Sequence, residues 1–105
     1  MVVEVLSWEE NKELTYELLR NRYSSKSRYR VSKRSYDPGV SFPAGIRKCL
    51  LFVLNGSCCY TSEKDSVILH GETYTELPSA KYKFKVLGDV KLSIVYVWDL
   101  HEFGL

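Results

Sequence analysis

The chain has 105 residues, 45% of them hydrophobic and 27% charged, which excludes wholesale disorder and sets one domain around a single modest core. Its 15 basic and 13 acidic side chains leave a formal charge of only +2. No run approaches the ~18 apolar residues of a membrane span, and the start Met1-Val2-Val3-Glu4-Val5 lacks the basic-then-apolar pattern of a signal peptide, so a cytoplasmic protein without membrane contact is expected.

Met1 to Leu6 is a short apolar start, read as a strand or an extended arm. Ser7 and Glu10 have the Ser-x-x-Glu spacing of a capping box, which predicts a helix from Trp8 to Arg20. Leu14, Leu18 and Leu19 share one side of it and Glu9, Glu10, Glu13 and Glu17 make the rest acidic, as suits a helix covering one end or edge of a sheet.

From Arg20 to Arg34 there are seven basic residues and no acidic one, leaving the remainder of the chain net negative by 5. Tyr23 and Tyr29 interleave with these charges, so a nucleic-acid surface has to be weighed. Against it, Ser24-Ser25-Lys26-Ser27 reads as a solvated loop and no RNA- or DNA-binding motif is present, so a nucleic-acid partner is not expected. Tyr29 to Tyr36 alternates as a strand, with Arg28, Arg30, Ser32, Arg34 and Tyr36 on one side. If that side faced into a barrel, an arginine would line its cavity. Asp37-Pro38-Gly39 makes a turn, and Phe42-Pro43-Ala44-Gly45 reads as a second break.

Asn55-Gly56, between Leu50–Leu54 and Ser57–Thr61, is a strong hairpin signal, because a two-residue turn of this kind needs positive φ at its centre. In that register Leu54 faces Ser57, Val53 faces Cys58, Phe52 faces Cys59 and Leu51 faces Tyr60. Tyr82, Phe84 and Val86 alternate with Lys81, Lys83 and Lys85, sending one face inward and the lysines to water. Leu92, Ile94, Tyr96 and Trp98 interleave with Ser93, Val95 and Val97 in a mostly apolar strand. His70-Gly71-Glu72, Pro78-Ser79 and Gly88-Asp89 punctuate these runs. The spacing predicts an antiparallel sandwich or barrel.

The stretch from Val40 to Trp98 resembles the core of the cupin superfamily, which implies an all-β fold: an antiparallel double-sheet jelly-roll barrel, here with one N-terminal helix. In that reading residues 1–39 are the arm, helix and basic strand, 40–98 the barrel core and 99–105 a C-terminal tail. Cupins carry a His-x-His, a glutamate and a later histidine as metal ligands. Matching Val53-Leu54-Asn55-Gly56 to the glycine that ends the first motif puts Cys49 at the glutamate and places the His-x-His window in Phe42 to Gly45. Leu77-Pro78-Ser79-Ala80 is similar to the Pro-x-Gly turn of the second motif and brings Tyr82 nearest its histidine, off by one residue. The turn glycines and proline match and the ligands do not, so the expectation is no metal and no other cofactor.

Three cysteines leave one over in any pairing, which fits reduced thiols. In the hairpin register Cys49 and Cys58 lie roughly 13 Å apart at ~3.3 Å per residue, too far for one ion or a disulfide, and Cys58 and Cys59 face oppositely. His70 sits in a turn, and His101 lies in a tail that could fold over a barrel mouth. The leading expectation is a metal-free, cupin-like protein binding a small polar or aromatic ligand inside the barrel, with Tyr82, Tyr36, Arg30, Cys49, Tyr60 and Tyr96 as candidate contacts. Alternatives are a metal-independent isomerase, epimerase or cyclase, for which the related sugar-nucleotide enzymes use a histidine absent here, and an interaction module using residues 20–34. A homodimer joined through sheet edges or the N-terminal arm is also expected.

Overall fold

The structure is a computed structural model and describes residues 4–23 and 28–99. The alternating runs form nine strands among these residues: β1 Val5–Ser7, β2 Tyr29–Tyr36, β3 Ser41–Ile46, β4 Cys49–Asn55, β5 Ser57–Thr61, β6 Ser66–His70, β7 Thr73–Leu77, β8 Ala80–Leu87 and β9 Leu92–Asp99. A single helix, α1 Tyr16–Tyr23, lies between β1 and β2. All pairings are antiparallel, in a five-stranded sheet of order β1-β7-β4-β9-β2 and a four-stranded sheet of order β3-β8-β5-β6. Face to face they make a jelly roll.

The inner faces meet in one core containing Leu51, Val53, Cys58, Tyr60, Leu69, Phe84, Leu92 and Ile94. On β8 the period of two behaves as expected, with Tyr82, Phe84 and Val86 buried and Lys81, Lys83 and Lys85 exposed. β9 is apolar on both faces because each is covered. Its Ile94 and Tyr96 face the other sheet, while Val95 and Val97 lie with Phe52 beneath Leu14 and Leu19. Complete burial of Leu19 stabilises this layer by about 1.5–3 kcal/mol.

Four expectations are corrected. Asn55-Gly56 does not close a hairpin: β4 pairs with β7 and β9, and β5 with β6 and β8, so the turn passes the chain from one sheet to the other. Gly56 has φ +91°, and a Cβ there would lie 3.0 Å from Leu92 Cα and Lys91 O, so the corner requires glycine. The separation of Cys49 and Cys58 derived from that hairpin lapses with it; the two thiols enter the core from facing sheets, and all three cysteines are free.

The helix starts at Tyr16, eight residues beyond the expected Trp8. Ser7 is held in β1 opposite Thr73 and the Trp8 amide donates to the Glu72 carbonyl at 2.8 Å, so sheet pairing outcompetes the local capping pattern. Thr15 caps instead, its Oγ1 accepting from the Leu18 amide at 3.1 Å. The helix packs on the outer face of the five-stranded sheet, beside its edge strand β2. Phe42-Pro43-Ala44-Gly45, read as a break, lies within strand β3; Pro43 is tolerated because β3 is an edge. Within the apolar start, read as a strand or an extended arm, Val5–Ser7 forms β1 and pairs with Thr73–Thr75.

Candidate functional site

β2 and β3 are edge strands of opposite sheets and lie on the same side of the barrel. At one end an aromatic wedge holds them together: the Tyr36 ring is 5.5 Å from Phe42 and 5.1 Å from Phe84, and the latter two are 5.0 Å apart. Away from the wedge a cleft of about 540 Å³ opens, whose lining includes Arg30, Arg34, Arg47, Tyr96 and Trp98. The antiparallel register explains this set. Arg30 lies opposite Trp98, Ser32 opposite Tyr96, Arg34 opposite Ile94 and Tyr36 opposite Leu92, so the even-numbered residues of β2 share the inner face. Tyr96 and Trp98 stack with centroids 5.3 Å apart and planes 12° from parallel.

Among the described residues, none that lines the cleft is acidic. Asp99, next in sequence to Trp98, accepts two hydrogen bonds from Arg28, at 2.9 and 2.6 Å. The Arg34 guanidinium donates to the Ser32 hydroxyl and, at 3.1 Å, to the Lys33 carbonyl.

Of the six candidates from sequence, the structure brings Arg30, Tyr36 and Tyr96 together in this cleft. Tyr60 lies beneath it, fully buried, its hydroxyl bonded to that of Tyr96 and its ring edge-on to Tyr82 at 5.8 Å. Burial holds both hydroxyls of the Tyr60–Tyr96 pair well above the ordinary tyrosine range. Tyr82 donates to the Pro78 carbonyl at 2.8 Å and lines a different cavity, about 460 Å³, with Ser62 to Asp65. Cys49 packs in the core at the rim of a small cavity with Tyr29 and Glu76, and burial pushes its thiol up to about 12.

Sequence reasoning missed Arg34, Arg47 and Trp98 as candidates. Arg34 and Trp98 shared the alternation that selected Arg30 and Tyr96, so that signal was available; Arg47 follows a segment misread as a break. His70 lies at the opposite end of the barrel, bonded through Nδ1 to the Ser57 hydroxyl at 2.9 Å. His101 lies outside the described residues.

The positions matching the cupin metal ligands do not fit a transition metal. Phe42 and Ala44 pack against the inner core, with Ala44 opposite Tyr82, and Cys49 is the one soft donor of the set. A metal-binding thiol needs its ionised form, and burial disfavours that form here. Among the described residues no three His, Cys, Asp or Glu side chains cluster to hold an ion.

No protein-family model and no curated protein sequence matches this chain. Solved structures do. A cupin 2 conserved barrel domain protein from Salinispora arenicola aligns at 15% identity and TM-score 0.57 over 97% of this chain and 80% of its own. RmlC from Streptococcus suis, in complex with dTDP-D-xylose, aligns at 12% identity and TM-score 0.53 over 95% of this chain and 64% of its own. An ethanolamine utilization protein Q from Salmonella typhimurium aligns at 15% identity and TM-score 0.54 over 67% of this chain, which spans only 56% of that protein. The two-sheet architecture and these likenesses agree: the chain has the cupin fold.

Proposed function

We propose that the protein binds a small polar or aromatic molecule in the cleft between β2, β3 and β9, without a transition metal. The observation that carries this reading is the cleft, whose volume of about 540 Å³ sits within the ~300–1,000 Å³ typical of small-molecule sites. Arg30, Arg34, Arg47 and Tyr36 line it together with the stacked rings of Tyr96 and Trp98. RmlC from Streptococcus suis was solved with dTDP-D-xylose, a molecule that combines a planar base with anionic groups, which supports the ligand class without naming the ligand.

An isomerase, epimerase or cyclase would need a proton donor or acceptor titrating near neutrality. The cleft offers arginines and a Tyr96 hydroxyl whose pKa burial raises, while His70 is at the other end of the barrel. Binding is therefore favoured over catalysis. The interaction-module reading is weakened because the basic residues described within 20–34 point to different places. Arg22 pairs with Glu10 and Arg28 with Asp99, Lys33 lies over the Tyr16 ring on the outer face, and Arg30 and Arg34 line the cleft.

Calorimetric titration against a panel of small aromatic and polar compounds should show saturable binding that Ala44→Trp, filling the cleft from β3, weakens about tenfold or more. Undiminished binding by a folded Ala44→Trp protein would place the ligand elsewhere. Elemental analysis of protein purified without chelators should give well under one metal per chain. Stoichiometric iron, nickel, zinc or manganese would overturn the metal-free part of the reading.

A further inference from the structure

We propose that the occupant of this cleft is an oxyanion, phosphate or carboxylate, carried on a planar ring, an inference that rests on the cleft being the binding site. Among the described residues, Arg30, Arg34 and Arg47 line one space whose lining holds no carboxylate. Like charges gathered at one opening raise its potential and favour an anion there. The planar fork of arginine matches phosphate and carboxylate oxygens in pairs, which a lysine ammonium does not.

The neighbouring acid has an arginine partner outside this group. Asp99 alternates with Trp98 on β9, borders the cavity on the other side of the sheet, and accepts hydrogen bonds from Nε and Nη2 of Arg28. Arg34 finds neutral acceptors in the Ser32 hydroxyl and the Lys33 carbonyl, so its charge is not cancelled by those bonds.

The ring requirement comes from β9, the neighbouring strand on the same face of the sheet. Arg30 registers directly across the β2–β9 ladder from Trp98, and Trp98 is stacked on Tyr96. Directly opposite residues hold their Cβ atoms about 4.5–5.5 Å apart, so the Arg30 and Trp98 side chains rise from one face. A flat molecule against the indole would have its anionic substituent within reach of Arg30. The closed end is the aromatic wedge of Tyr36, Phe42 and Phe84, which offers apolar surface and no carboxylate.

The test is calorimetry with four probes: adenosine monophosphate, indole-3-acetate, adenosine and inorganic phosphate. At least one of the two ring-bearing anions should bind about tenfold or more tightly than adenosine. Which of the two is tighter tells phosphate from carboxylate. Arg30→Ala with Arg47→Ala should erase the advantage over adenosine. Trp98→Leu, which keeps apolar bulk, should weaken the ring-bearing anion about tenfold and leave inorganic phosphate unchanged. If adenosine matches both anions and still depends on Trp98, the oxyanion inference falls and the cleft reading stands. Failure of both anions to bind at about millimolar concentration also overturns the inference. Binding indifferent to the Trp98 and arginine substitutions alike would remove the cleft as the site.

Discussion

Replacing Phe84 with alanine should lower the unfolding free energy by about 3–5 kcal/mol, a shift in midpoint on the order of 15–30 °C for a domain of this size. Phe84 is 1% exposed and its ring centroid lies 5.1 Å from Tyr36, 5.0 Å from Phe42 and 5.0 Å from Tyr60. Both flanking strands are fixed by ladders, β3 on one side and β5 on the other, so the site cannot collapse onto the missing ring. The cost therefore combines lost transfer energy with a retained cavity. Because the same ring belongs to the wedge that closes the cleft, the vacated volume would extend the cleft toward Tyr60. Phe42→Ala, at a half-buried position, should cost distinctly less. Urea denaturation of the three proteins checks both statements; a loss under about 1 kcal/mol for Phe84→Ala would mean that the wedge is not packed as described.

Strand content was readable wherever a period of two ran against water, as on β8, where three lysines alternate with Tyr82, Phe84 and Val86. Asn55-Gly56 marked a reversal correctly but could not say whether the two strands would lie side by side or face to face. That choice is made by distant partners: Leu51 lies between Thr75 and Tyr96, and Tyr60 between Val67 and Phe84. Ser7 and Glu10 failed as a capping signal for the same reason, because the pairing of β1 with β7 claims Ser7. The candidate site divided along similar lines. Alternation placed Arg30 and Tyr36 on one face of β2 and Tyr96 with Trp98 on one face of β9, and the register makes these the same face of the sheet. It could not tell that Tyr82 and Cys49 would open toward other cavities, since that depends on where the sheets part along their length.

Raising the pH above 9 should destabilise the fold steeply and unfold it before pH 12. Burial pushes the thiols of Cys49 and Cys58 from an ordinary 9.0 up to about 12, with Glu76 and Cys59, respectively, adding repulsion. The unfolded chain loses these protons near pH 9, while the folded protein keeps them to about 12. Their contribution is thus fully present below pH 9 and is lost as pH rises through that window. Each group in the window takes about 1.4 kcal/mol per pH unit, so two thiols take about 2–3. The hydroxyls of Tyr60 and Tyr96, raised from an ordinary 10.0 chiefly by burial, add to the slope above pH 10. By pH 11 the combined loss is on the order of 5–8 kcal/mol, comparable with the whole stability of a small domain. Urea titrations at pH 8, 9, 10 and 11 would trace the decline. Cys58→Ala removes one of the two thiols and should roughly halve the slope between pH 9 and 10, where the tyrosines contribute little. Constant stability from pH 8 to 11, or an unchanged slope in Cys58→Ala, would rule out the buried thiols as its source.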